Sequence, residues 1–377
     1  MYFSYSFPTA SSQDQWWKHI DKILLSGFLF LCFIGTILVA SSGAMIARRI
    51  GVNEGFFSSE WLFFAKYIGF AACSLLTMFA ISRCSFVGIR RIGTILFLFS
   101  LILLALTPLF GTEIKGAKRW ILGVQPSEFM KPGFVIFCAW MMSLAQERHH
   151  FYGRLYAFFA LLLTISLLLL QPDFGQTILV VTVWMAMFFA SGASLLWFVG
   201  LAGTGATALC GGYFLFSHVR KRIDAFLSPD AFDKFGVNYQ SEIAKKAFAA
   251  GGLFGRGPGE GEVKQSLPDS HTDYIFSVAG EELGVLLCLL IISIYGGMVF
   301  YSLKKISTLN HHFSRFAVVG LMTLFGMQAF INMSVNVGLL PPKGMTLPFI
   351  SYGGSSVLGL GFLAGFVLAL SKQKETY

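Results

Sequence analysis

The 377-residue chain is 55% hydrophobic and 16% aromatic, with only 12% charged residues and a net charge of +9. Soluble chains carry about 25% charged residues, so this composition excludes an ordinary soluble globular protein. The positive balance would suggest nucleic acid in a soluble chain, but here it reads as membrane topology, and no nucleic-acid partner is expected.

Apolar residues fall in blocks of roughly 18 to 25, enough to cross about 30 Å of hydrocarbon as a helix. Ten spans are predicted, near residues 23–43, 61–81, 92–110, 129–145, 154–170, 175–191, 195–216, 275–301, 316–335 and 351–370. The expected fold class is therefore an all-α polytopic integral membrane protein. The first span follows Lys18 and Lys22 and ends in VASSGA, as a signal peptide would, but its apolar run is longer than a usual leader core. It is read as a spanning helix.

An even number of spans puts both termini on one side. Lys and Arg in the short connections are about twice as frequent on that side as on the other, which makes it cytoplasmic. Residues 1–22 and 371–377 are then cytoplasmic, 23–370 form a single membrane domain, and 217–274 make a long extracytoplasmic loop between spans 7 and 8. The six cysteines lie mostly inside apolar blocks without a CxxC pattern and read as packing residues.

The first unusual connection is GTEIKGAKRW, where Lys115, Lys118 and Arg119 stand on the outer side against the topological bias. Cations placed there suggest an anionic partner such as a pyrophosphate-linked lipid. QPSEFMK then sets Glu128 and Lys131 three residues apart, spaced either to pair along one helix face or to position the Lys for substrate. In QPDFGQT, Asp173 reads as a turn and helix-cap residue.

Within the long loop, NYQSEIAKKAFAAGG could form an amphipathic helix on the outer membrane surface, with Ile243, Ala247 and Ala250 toward lipid. GGLFGRGPGEGEVK follows, and its glycines read as a flexible arm. No strand precedes it and no GK[ST] follows, so it does not fit a nucleotide loop.

LPDSHTDYIFSVAGEELG pins His271 and Asp273 to the mouth of a long apolar helix. A carboxylate there is a functional candidate. The structural alternative is an N-cap, with Glu281 and Glu282 at headgroup level. In the ninth span Gln328, Asn332 and Asn336 form one polar face, suited to interhelical hydrogen bonding. The last outer connection, VGLLPPKGMTLPFISYGGSS, carries prolines that enforce extended backbone and projects Lys343 toward a cavity.

The segments KRWI, QPSEFMKP, QPDFGQT, LPDSHTDYIFSVAGEELG and NMSVNVGLLPPKGMTLPFISYGGSS resemble those of the SEDS family of bacterial peptidoglycan polymerases. The match runs over nearly the whole chain. Lys343 and the residues after it are similar to the division-type members, whereas elongation-type members usually have threonine there. Pro342 and Met345 depart from the division pattern.

The resemblance implies that Asp273 is the essential catalytic residue and that Glu128 and Lys131 line the same outer cavity. It also implies a reaction in which lipid II is polymerised in the cytoplasmic (inner) membrane and undecaprenyl pyrophosphate is released with inversion. The partner implied is a class B penicillin-binding protein among other division proteins. Lys118, Arg119, Glu128, Lys131, His271 and Lys343 are the expected substrate-binding residues. No cofactor is required by the residues, although Mg²⁺ or Mn²⁺ could share the pyrophosphate charge. A lipid II flippase, an elongation-type polymerase and a non-catalytic scaffold are the competing readings.

Overall fold

The computed structural model describes residues 16–50, 59–114, 117–148, 151–193 and 239–372, with isolated residues between 200 and 220. The expected seventh span, near 195–216, lies mostly outside the described residues, as does Lys115. The described chain runs α1 (Lys22–Ile50), α2 (Ser59–Ser82), α3 (Phe86–Phe110), a hairpin of β1 (Thr112–Ile114) and β2 (Ala117–Trp120), α4 (Pro126–Glu147), α5 (Gly153–Leu170) and α6 (Phe174–Ala190). It continues through α7 (Tyr239–Gly251), a 3-10 turn (Val263–Ser266), α8 (Ile275–Lys305), α9 (His312–Asn336) and α10 (Gly354–Leu370).

Seven of these helices are long and apolar enough to cross a membrane, and α6 and α10 are shorter apolar helices. The chain is thus a multi-pass membrane protein, with nine apolar helices among the described residues. Burial sets their places. About 72% of the apolar window is buried in α4 and in α9, against 28 to 50% in the other long spans, so those two, with the largely buried α10, form the centre and the other long spans face lipid along one side. Close helix approach relies on small residues, as expected where lipid removes any hydrophobic drive between helices. Where α3 crosses α4, a Cβ on Gly93 would collide with the Ile136 side chain.

Helices α1 and α8 run antiparallel, fixed at both ends by hydrogen bonds to a carboxylate. Lys305 Nζ donates to Asp21 Oδ2 at 2.6 Å, and Tyr301 Oη donates to the same oxygen at 3.1 Å. At the far end, Ser41 Oγ donates to Glu282 at 2.5 Å. The first turn of α8, and Asp273 just before it, therefore lie at the end of the bundle opposite residue 21.

Helix α8 is broken at Gly284, whose φ of 79° and ψ of 177° belong to a region that only glycine occupies readily. The break frees backbone groups that must find partners inside a membrane protein. The glycine-rich segment supplies them. Arg256 and Gly257 N–H donate to the carbonyls of Glu281 and Glu282 at 3.0 and 2.9 Å, and Val285 N–H donates to Gly252 carbonyl at 3.0 Å. This segment is therefore a fixed backbone plug, which corrects the expectation of a flexible arm. Its positive-φ glycines serve geometry, allowing the chain to turn and lie flat against the break.

Helix α7 also departs from expectation. Ile243, Ala244 and Ala247 are buried against protein, with Phe248 stacked edge-on to Phe276 of α8 at 5.6 Å. The apolar face that suggested lipid contact is satisfied by α8. Glu281 and Glu282 are likewise buried, at 0% and 1% exposure, instead of lying at headgroup level. Cys32, Cys138 and Cys288 are buried and free, as packing residues would be, whereas Cys73 is exposed.

Gly284→Ala is expected to lower thermal stability by about 1–3 kcal/mol from backbone strain alone. A further loss follows because the new Cβ would overlap the Leu253 carbonyl. Thermal unfolding in detergent measures it, and a melting curve matching wild type would refute the plug assignment.

Candidate functional site

The HTD sequence sits in a turn that ends where α8 begins. Its three successive carbonyls are all held. Tyr352 N–H donates to His271 carbonyl at 2.9 Å, Ser351 Oγ to Thr272 carbonyl at 2.6 Å, and Asn332 and Asn336 Nδ2 to Asp273 carbonyl at 2.8 and 2.9 Å. Such a backbone cannot drift, which is what a reacting side chain requires of its support.

Asn332 and Asn336 do more than bridge helices. Asn332 Nδ2 also donates to Met345 carbonyl at 2.6 Å, tying Asp273 to the extended Pro341–Leu347 stretch. Asn336 Oδ1 accepts from Ser277 N–H at 3.0 Å and Ser277 Oγ at 2.7 Å, satisfying the start of α8. The polar stripe is legible in the sequence, but its service to the Asp273 backbone is not. The four-residue spacing to Asn336 shows which face is polar without showing what that face meets.

A pocket enclosing about 280 Å³, part of it open to solvent, is lined by Gln240, Asp273, Tyr274, Asn332, Val335 and the stretch Pro342, Lys343, Gly344 and Met345. Its carboxylate comes from α8's threshold and its cation from the connection after α9. Gly344 has a φ of +63°, and a Cβ there would meet Asp273 Oδ2 at 3.6 Å, so the carboxylate extends across this glycine. Burial pushes the Tyr274 phenol up to about 12. It stays protonated near neutrality and is no base.

The other expected site residues are distributed around this pocket. His271 sets its ring 5.6 Å from that of Tyr352, tilted by 46°, and is partly buried beside the turn. Glu128 and Lys131 form an ion pair at 2.9 Å and are buried to 5% and 3% exposure. Gln176 Nε2 donates to Glu128 at 3.2 Å, and Lys131 Nζ donates to Gln328 Oε1 at 3.0 Å. Gln328 Nε2 in turn donates to Thr346 carbonyl at 3.1 Å. The pair thus lies one layer behind the pocket wall, linked to it through α9 and the residue 346 backbone.

Arg119 grips the turn before α6, donating to Pro172 carbonyl at 2.8 Å and Gln171 carbonyl at 3.3 Å, with Asp173 Oδ2 at 3.7 Å. Asp173 itself caps α6 by accepting from Gln176 N–H at 3.3 Å. Burial raises the Asp173 pKa, and the Arg119 guanidinium works against that rise. Lys118 is exposed on β2 opposite Glu113. The structure thus brings Asp273 and Lys343 together, backs them with Glu128 and Lys131, and sets Lys118 and Arg119 on a neighbouring hairpin. A Cβ on Gly175 of α6 would meet Lys343 Cβ at 3.5 Å, so the hairpin, turn and pocket share one end of the bundle. Among the described residues, no group of three His, Cys, Asp or Glu converges as a metal site would require.

Comparison with known proteins identifies the family. Residues 22–376 match the family model FTSW_RODA_SPOVE, described as "Cell cycle protein". A "Probable peptidoglycan glycosyltransferase FtsW" of Caulobacter vibrioides is 40% identical over 363 residues, covering 95% of this chain and 91% of the relative. The protein of that name from Haemophilus influenzae is 31% identical over 367 residues, covering 95% and 91%. Among solved structures, a chain from "Structural coordination of polymerization and crosslinking by a peptidoglycan synthase complex" aligns with a TM-score of 0.75 at 25% identity, covering 93% of this chain and 97% of that one. The rod shape determining protein RodA of Thermus thermophilus shares the fold, with a TM-score of 0.67 at 23% identity over 93% of this chain and 96% of its own. With the motif resemblance, the helix bundle and the family match in agreement over nearly its whole length, the chain belongs to the FtsW/RodA/SpoVE family.

Proposed function

We infer that this protein is a division-type peptidoglycan glycosyltransferase, which polymerises lipid II on the outer face of the bacterial cytoplasmic membrane. The observation that carries the reading is the shared pocket of Asp273 and Lys343, with a rigidly held backbone beneath the carboxylate. Asp273 accepts the proton of the 4-hydroxyl on the attacking disaccharide. The freed oxygen bonds to the anomeric carbon of the growing chain, whose bond to pyrophosphate breaks with inversion.

Glycosidases need an acid to protonate a poor leaving group and a second carboxylate beside it. Undecaprenyl pyrophosphate leaves as a stable anion and needs only cations around it. Lys343 in the pocket meets that need, with Lys118 and Arg119 on the nearby hairpin available to the lipid-linked phosphates. Lys131 contributes from behind the wall. A divalent cation, Mg²⁺ or Mn²⁺, would be held by the pyrophosphate oxygens and would share their charge.

Both termini face the cytoplasm in this reading, because the pocket lies at the end opposite residue 21 and the basic connections favour that end inside. A class B penicillin-binding protein is the proposed partner, crosslinking the strands as they emerge. The relatives' names and the synthase-complex neighbour support this assignment.

The test uses purified protein and partner with lipid II in detergent, where the membrane has no sides. Long glycan strands are expected on a denaturing gel. Transport of lipid II in sealed vesicles without any polymer in detergent would instead identify a flippase.

A further inference from the structure

The buried residues of helix α7 are Ser241, Ile243, Ala244, Ala247 and Gly251, all small or apolar. Gln240, half-buried in the first turn, stands three and four residues before Ile243 and Ala244 on the same side of the helix. It lines the pocket with Asp273 and Lys343. Its carboxamide makes no hydrogen bond to any described residue. The helix that carries it is firmly seated: a Cβ on Gly251 would overlap the Gly280 carbonyl, and Lys245 lies across Gly338. Gln240 is thus a half-buried amide held over the pocket by a fixed support.

The other polar groups of the pocket have tasks. Asp273 suits a hydroxyl proton and Lys343 a phosphate. Asn332 has given its Nδ2 to two backbone carbonyls, and its Oδ1 accepts from Asn336 at 3.4 Å. Tyr274 is 2% exposed. What remains is a neutral group that both donates and accepts, suited to a neutral substrate group that does the same. An acetamido substituent fits that description, since enclosing it without partners would leave its N–H and carbonyl desolvated and unpaired.

We propose that Gln240 is a specificity-determining residue, whose carboxamide hydrogen-bonds the acetamido group of the sugar activated by Asp273. The proposal rests on the glycosyl-transfer reading above. A site built to hydrogen-bond a substrate group discriminates against analogues lacking it. In a partly open pocket that preference should be on the order of tenfold, the worth of one ordinary hydrogen bond.

The experiment compares lipid II with an analogue carrying glucose in place of N-acetylglucosamine, using the full-length protein and its partner in detergent. Wild type should prefer lipid II by about tenfold in kcat/KM. Gln240→Ala should lose about tenfold on lipid II, mostly through KM, while its rate on the analogue stays near wild type. Gln240→Glu, similar in shape and equally able to complete the helix, keeps an acceptor for the acetamido N–H and should fall between wild type and Gln240→Ala in preference.

A merely structural Gln240 would slow both substrates together and leave their ratio at the wild-type value. That unchanged ratio in Gln240→Ala overturns the proposal. A wild type that polymerises lipid II without preferring it to the analogue overturns the proposal alone. A wild type that makes no polymer from lipid II overturns the glycosyl-transfer reading and this assignment with it.

Discussion

Asp273→Asn should abolish glycan polymerisation, lowering the rate on the order of 10²- to 10⁴-fold, while the protein remains folded. The size follows from the usual contribution of a positioned proton acceptor. The specificity of the loss follows from the geometry. What Asn332 and Asn336 hold is the residue 273 carbonyl, a backbone group that the substitution leaves untouched. The neighbouring carbonyls keep their bonds to Tyr352 and Ser351. Asparagine has the same shape and the same position over Gly344, but it cannot take up the hydroxyl proton. Glycan gels and a thermal melt on the same preparation separate chemistry from folding. Strands formed at the wild-type rate would remove Asp273 from its role, whatever the melt shows.

Much of this site is legible in the amino-acid sequence, because its ingredients are local. Asp273 next to an apolar run, and Glu128 three residues before Lys131, are visible as spacing, and the structure places the second pair at 2.9 Å. The apolar runs also mark most helices, since hydropathy and span length are properties of consecutive residues. What stays hidden depends on contacts between distant segments. The glycines from 251 to 261 read as freedom, yet they are needed because a broken helix requires a flat, turning backbone beside it. Their partner at Gly284 lies well further along the chain and carries no local sign of the break. For the same reason α7 reads as a membrane-surface helix. An apolar stripe states that something covers it, and only the fold shows α8 there. Arg119 stands out in the sequence for its charge, whereas two of its bonds go to carbonyls of the turn before α6.

Lys264→Met should be among the most destabilising single changes in the molecule, at about 3–5 kcal/mol, the usual cost of leaving one member of a buried ion pair alone. Lys264 and Glu282 pair with 2% and 1% exposure, and Ser41 Oγ donates to the same carboxylate. Lys264 Nζ also donates to Ser41 Oγ at 3.1 Å, so the cluster joins α1, α8 and the segment leading to Asp273. Beside it, Glu281 accepts from the N–H groups of Val263 and Lys264 at 2.7 and 2.8 Å, fixing the 3-10 turn's first residues. Methionine keeps the length and the apolar stem of lysine, so the loss comes from an uncompensated Glu282 in a dry site. If that argument is right, removing both charges is milder than removing one, and Lys264→Met with Glu282→Leu should regain most of the stability. Thermal unfolding in detergent of the two single variants and the double closes the cycle. A double variant no more stable than the worse single one would mean that the cluster acts through packing, and that its charges do not hold the Asp273 segment in place.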